Sequence, residues 1–505
     1  MVLDQKLYWT PHISYISAKA VRSLNIIKCL RRTWWGSHPS VLLNIYKALV
    51  RSILDYNSFL MAINSFKWHS RLNRIQYRAI RLCLGYRDST PINVILAEAN
   101  ELTLKYRFRN LAGKFIAKIA SSSNHPLVDL LFNLRYLLRK RNSYNLSNCF
   151  PLFAVFDDIA SKFKYVFKSD PPIPFFYSQE VVNFKAEANI DLGSEIAKGD
   201  NHYAKFLEQF SQYFPNHTIF YTDGSKTSSY TYGGLAVYSP SLNRSYKFKL
   251  PSFATIFSLE ALAILFVVRL IYSSKIKSAI IFTDSQSVAL SLGSPLYKST
   301  NYLILETKKY LLLASQSGLC VRIEWIPGHK GIYGNSMADS LANEARSSGR
   351  FMDTPLPHSD LGVYYAEVLR ERFYRSLKNI GAHKGSYYFS NFFKGNAKPW
   401  FSKFSANRFY IVSVNRLRSN HYSLPDSLFR KHLINNNLCN CGVPSNLEHI
   451  LWACPLYSDQ RTLLKKELQK QGHSSPLDPI IFLKNPTSKI TSLLINFLKR
   501  SSIQL

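Results

Sequence analysis

Residues 216 to 346 hold only seven acidic side chains, Asp223, Glu260, Asp284, Glu306, Glu324, Asp339 and Glu344. Three of them stand where a solvating charge is out of place. Asp223 ends the strand-like run IFYTDGS, Asp284 ends the strand-like AIIFTDS, and Glu260 interrupts the most apolar helical pattern of the chain, SLEALAILFVV. A carboxylate in apolar surroundings is costly unless it is paired or bound to a metal. Any one such Asp is equally well an Asx-turn or a helix N-cap, so spacing alone does not decide. A second constellation lies near the C-terminus, where LCNCGVPSNLEHILWACP places Cys439, Cys441, His449 and Cys454 within sixteen residues. Three thiolates and an imidazole can close a tetrahedral zinc site. The competing reading is a pair of buried thiols near a surface histidine, and the tight C-x-C spacing speaks for it. The other four of the seven cysteines, Cys29, Cys83, Cys149 and Cys320, sit in apolar surroundings as core thiols do. An odd total argues against a disulfide framework.

The elements that must position the acids can be read from periodicity. HTIFYTDGS, YTYGGLAVYS and RSYKFKLPS are β-rich runs separated by turn residues, as in an antiparallel meander. A long helical pattern follows in TIFSLEALAILFVVRLIYSSK, then a strand in SAIIFTDS, a helix in NYLILETKKYLLLASQ, a strand in CVRIEWIPG and a helix from about Asn335. This order predicts an α/β unit, a mixed sheet flanked by helices.

TDGS, SLEALA, TDSQS and GHKGIYGNSMAD, in that order and on those elements, resemble the ribonuclease H family. The resemblance implies a mixed five-stranded sheet over residues 216–346. It also implies four metal-binding acids, Asp223, Glu260, Asp284 and Asp339, a histidine near the reaction at His329, and backbone at Gly224 and Ser225 that meets the RNA strand. The implied activity is hydrolysis of the RNA strand of an RNA–DNA hybrid. Such a reaction needs a deprotonated water and a neutralised leaving oxygen, which two divalent ions about 3.5–4 Å apart supply. Hard oxygen donors without cysteine suit Mg²⁺ or Mn²⁺. His329 has the intrinsic proton affinity to shuttle a proton near neutrality. Choosing a hybrid over DNA rests on the 2′-hydroxyl.

Beyond this segment, 505 residues with 46% hydrophobic content predict two to four folded units. Lys and Arg number 64 against 31 Asp and Glu, a net charge of +33, which points to a polyanion such as nucleic acid. An anionic membrane is the competing partner. The most apolar run, Leu259 to Ile271, contains Glu260 and Arg269 and is too short to span a bilayer, and MVLDQKLYWT lacks a signal pattern. No membrane partner is therefore expected. The expected location is intracellular, with nucleus and cytoplasm unresolved. Residues 1–120 read as helical and carry 19 basic against 5 acidic residues. Within them Arg71, Arg74, Arg78 and Arg81 align on one helix face beside Leu72, Ile75, Ala79 and Leu82, a face for phosphates or merely for solvent. Residues 121–215, with SSSNHP, KSDPPIP and GSEIAKGDNH, read as a linker with short helices. Residues 347–505 read as helical and basic.

The whole arrangement resembles the C-terminal portion of a jockey-type non-LTR retrotransposon polyprotein. LYWTPHISYISAKAVRSLNIIKCL is similar to that family's segment after the polymerase palm. LLNIYKALVRSILDYNSFLMA and LNRIQYRAIRLCLGYRDSTP are similar to its thumb, and residues 439–454 to its Cys/His tail. One departure matters: the first 200 residues contain no Asp-Asp pair in a strand-turn-strand setting, since Asp157-Asp158 in AVFDDIASK reads as helical. No polymerase activity is expected. The alternative to a ribonuclease is a non-catalytic relic that only binds nucleic acid.

Overall fold

Five runs rich in β-branched and aromatic residues pair as their composition predicts. They are Thr218–Ser225 (β2), Gly233–Ser239 (β3), Arg244–Leu250 (β4), Ser278–Thr283 (β5) and Cys320–Trp325 (β6). Two-residue strands, Ala188–Asn189 (β1) and Arg350–Phe351 (β7), add one at each edge, and the order is β1-β6-β5-β2-β3-β4-β7. The expected five-stranded sheet thus has seven strands. The two extra ones are too short to carry a period-two signal. β2, β3 and β4 form the antiparallel meander, whereas β5, β6 and β1 continue parallel from β2.

The computed structural model that shows this describes residues 1–505 except 1, 3–4, 6–8, 33–34, 59–65, 141–150, 169–182, 199–200, 215, 300, 396–397, 474–475, 477 and 504. Cys149 and most of KSDPPIP fall outside the described residues. The chain divides into two units, Ala112–Leu146 with Leu152–Val368, and Met1–Leu111 with Ser147–Pro151 and Leu369–Leu505.

In the sheet unit, the Ile256–Ser274 and Tyr333–Ser348 helices cover opposite faces of the meander. Consecutive strand residues point to opposite faces. A Cβ on Gly233 would meet Leu259, and one on Gly234 would meet the Ala342 carbonyl. Among the described residues, Ile256–Ser274 is the one helix long and apolar enough to cross a membrane by length and composition. That corrects the length argument above. Its apolar character is accounted for by burial, with Leu259, Ala263, Ile264, Val267, Val268 and Ile271 all inside the unit.

The stretch predicted to be a linker is largely built into this unit. Helices Asp191–Ala197 and His202–Tyr213 place Leu192, Ile196, Phe206 and Phe214 in one core with Tyr221, Ile280 and Phe282. Helix Pro151–Ile159 buries Phe153, Val155 and Phe156, and Asp157 pairs with Arg135 at 2.7 Å. Polar neighbours such as GSEIAKGDNH hide these widely spaced apolar anchors from a local reading.

The second unit joins the two ends of the chain, which the sequence places in separate regions. Helix Phe66–Leu84 ends in carbonyls that have no partner along the helix. Side chains of Arg408–Ser419 supply the donors. Arg408 donates to Leu82 O at 2.8 Å and Cys83 O at 2.6 Å, Asn415 to Leu84 O at 3.0 Å, and Arg416 to Gly85 O at 3.0 Å. Each buried carbonyl left without a donor costs about 1–3 kcal/mol. The Arg418–Glu98 pair, 3.1 Å apart with both side chains buried, crosses the same seam. Apolar residues from both ends, including Leu24, Ile80, Ile95, Ile411, Leu417 and Leu498, share one core. Of the scattered thiols read as core residues, Cys83 is buried, Cys320 is half-buried and Cys29 is exposed.

Candidate functional site

β2 and β5 run parallel with Thr222 opposite Thr283. The next residue of the chain is an Asp in both cases, within β2 for Asp223 and just past the end of β5 for Asp284, so register alone sets the two side by side, one strand spacing (~4.8 Å) apart. Glu260 comes from the second turn of the Ile256–Ser274 helix, and its Oε1 accepts the Gly224 N–H at 3.0 Å. That approach requires glycine at 224, because a Cβ there would lie 2.8 Å from Leu259 Cβ and 3.3 Å from Glu260 Oε1. Carboxylate oxygens of Asp223, Glu260 and Asp284 all fall within 4.8 Å of one another.

Burial raises the proton affinity of all three carboxyls. For Asp223 and Glu260, repulsion from the neighbouring acids adds to it. Asp284 is also pushed up by burial, and a hydrogen bond from Asn335 opposes the shift. Asp223 Oδ2 and Glu260 Oε2 are buried without any hydrogen-bond partner. Oxygens so placed suit a cation as their counter-charge, and an all-oxygen set fits a hard divalent ion.

Asp339 stands apart from these three, at the rim. It lies on the Tyr333–Ser348 helix with its side chain 34% exposed, and its charge adds to the repulsion on Asp223. Asn343, one turn later, donates to Asp339 Oδ1 at 2.9 Å and accepts the Ser225 hydroxyl at 2.6 Å. His329 Nδ1 is 3.7 Å from Asp339 Oδ2, on an exposed ring carried by left-handed backbone at φ 54°. Gly328 before it packs so closely that a Cβ would come within 2.7 Å of Asp284 Oδ2. Gly224 and Ser225 are half-buried beside the acids. Two residues here escaped the sequence reading. Asn335 lies inside GHKGIYGNSMAD, where only the ends were used, and Asn343 was legible only as an i, i+4 neighbour of Asp339.

In the other unit, Cys439, Cys441, His449 and Cys454 converge. Cys439 and Cys454 Sγ lie 3.7 Å apart, Cys441 and Cys454 Sγ 3.8 Å, and Cys441 Sγ is 3.1 Å from His449 Nε2. Zinc–thiolate bonds of about 2.3 Å at tetrahedral angles give an S···S edge of about 3.8 Å, so the sulfur spacing fits that ion. The C-x-C spacing is accommodated by a tight turn. Gly442 adopts φ 86° and donates to Cys439 O at 2.8 Å, while Cys439 N–H donates to Val443 O at 2.7 Å. Without an ion, burial pushes the Cys454 thiol up to about 11.

On the Phe66–Leu84 helix Arg71, Arg74 and Arg78 are exposed. Arg81 is not free for phosphate: it is half-buried and donates to Thr90 O at 2.9 Å, tying down the loop after its own helix.

No curated protein matches the chain. Residues 215–347, the span that brings these acids together, match the family model described as RNase H, and the chain therefore carries an RNase H domain there.

Proposed function

We propose that the sheet unit is a metal-dependent endonuclease that cuts the RNA strand of RNA–DNA hybrids. The observation that carries this reading is the pair of buried, partnerless oxygens, Asp223 Oδ2 and Glu260 Oε2, in a three-acid cluster at the strand ends. Asp223, Glu260 and Asp284 would hold the ions, with Asp339 contributing from the rim. Two bound Mg²⁺ or Mn²⁺ ions supply a deprotonated water and neutralise the leaving oxygen. The protein's own part is positional. Gly224 keeps the strand end open to Glu260, Asn335 aims Asp284, and Asn343 holds Asp339 and Ser225 in one hydrogen-bonded row, with Ser225 beside the RNA backbone. His329, exposed next to Asp339, can take up and release a proton to solvent.

The basic helical unit acts in this reading as a nucleic-acid holder, with Arg71, Arg74 and Arg78 on phosphates and one structural Zn²⁺ on the four Cys/His ligands. Descent from a retrotransposon polyprotein, without polymerase activity, accounts for the combination of parts. The deciding experiment incubates the full chain with a hybrid labelled on its RNA strand, with Mg²⁺, with chelator, and with an Asp284→Asn variant. Cleavage that both controls abolish supports the nuclease. Hybrid binding without cleavage would replace it by the binding relic.

A further inference from the structure

The Ile256–Ser274 helix that delivers Glu260 starts at Thr255, whose side chain accepts the Ser258 N–H at 3.3 Å. In a capping box the third helical residue is Glu or Gln and returns a bond to the cap's own N–H. Here that residue is Ser258, too short for the task. The return bond comes from 105 positions away: Thr255 N–H donates to Asp360 Oδ2 at 3.0 Å. Asp360 is 3% exposed and also bonds the side chains of Thr255 and Ser258. It lies in the first turn of its own helix, His358–Gly381, so one carboxylate serves two helix N-termini, where negative charge is favoured.

A second tie reaches the same point from the strand. Lys226, three residues after Asp223, donates to Ala254 O at 2.6 Å, immediately before the cap, and its charge faces Asp360 and Glu367. The segment bearing Asp360 is itself anchored, since Leu356 exchanges backbone hydrogen bonds with Tyr165 and Phe167 at 2.7 and 2.8 Å. Thr255, Ser258 and Lys226 lie within residues 215–347, whereas Asp360 and the Tyr165–Leu356–Phe167 anchor lie outside them. We propose that Asp360, with Lys226, is a positioning residue for the metal site, fixing the axial placement of the Glu260 helix against the end of β2. The nuclease site would then extend past the RNase H match to the start of the His358–Gly381 helix. This rests on the nuclease reading above.

The test uses the full chain and compares Asp360→Ala, Asp360→Asn and Lys226→Met. Readouts are Mn²⁺ affinity by calorimetry, kcat and KM on a hybrid, and amide exchange over residues 255–260. Removing a side chain that orients a metal ligand typically costs 10–100-fold in metal affinity or activity. Asp360→Ala is expected to weaken Mn²⁺ binding at least about tenfold and lower kcat, leave KM within about twofold, and expose the Thr255 amide. Asp360→Asn can still accept that N–H and is expected to recover most of the loss, and Lys226→Met to show the same pattern more weakly. If Asp360→Ala does not fold, Lys226→Met carries the test, and wild-type Mn²⁺ affinity, kcat and Thr255 amide protection in that variant overturn the proposal. Wild-type Mn²⁺ affinity and kcat in folded Asp360→Ala, or Asn behaving as Ala does, overturns the proposal. Failure of the unsubstituted chain to cut the hybrid instead overturns the nuclease reading, a result visible before any variant is made.

Discussion

Three carboxyls crowded into a buried pocket should make the metal-free protein less stable than a variant lacking one of them. Asp223 shows this most clearly, since burial and then its acidic neighbours move it from 3.8 to about 8. For an acid whose folded value is raised, the folded state binds the proton more tightly than the unfolded chain does. Stability is therefore full below about pH 4 and falls as pH rises toward 8. Each tenfold change in proton affinity is worth about 1.4 kcal/mol, which sets a ceiling of about 6 kcal/mol. The protons are shared across the cluster, so about 2–3 kcal/mol is the share expected on neutralising one member. Asp223→Asn keeps the shape and removes the charge. In EDTA at pH 8 its unfolding transition should lie about 5–10 °C above wild type, at about 2–4 °C per kcal/mol for a unit of this size, and the gap should close toward pH 4.5. With Mg²⁺ the order should reverse, because wild type gains stability by binding and the variant does not. Scanning calorimetry of the full chain at both pH values, with EDTA and with Mg²⁺, measures all four cases. A variant less stable than wild type in EDTA at pH 8 would refute the reasoning, since Asp223 would then be a satisfied structural residue.

Three further outcomes are expected. Gly328→Ala places a Cβ within 2.7 Å of Asp284 Oδ2, so hybrid cleavage should fall at least tenfold while the melting temperature moves little, as activity and calorimetry on one preparation would reveal. Metal analysis should find one zinc per chain, and Cys454→Ser should lose it and destabilise the helical unit, whose core includes the neighbouring Ile450 and Leu451. Replacing exposed Arg71, Arg74 and Arg78 by Gln should weaken hybrid binding at low salt and flatten the plot of log affinity against log salt by about 2–3, whereas Arg81→Gln should act on stability instead.

How far the sequence speaks for this protein can be seen at the acids. Asp223 and Asp284 were legible because each ends an apolar strand-forming run, and Glu260 because it breaks an apolar helix. These are local anomalies that burial makes costly. The Cys/His set was legible for the same reason, since all four ligands lie within sixteen residues of chain. What tertiary structure alone decided is every relation between distant segments. The Thr222–Thr283 register brings two aspartates together, Gly224 lets Glu260 reach them, and the rim position separates Asp339 from the other three. Asp360 on the Thr255 cap, Phe206 and Phe214 under the sheet, and Arg408 on the Leu82 and Cys83 carbonyls left no local trace. Hydrophobic period and turn chemistry report on neighbours a few residues apart, whereas a buried carbonyl or amide accepts any partner that the fold brings within 3 Å.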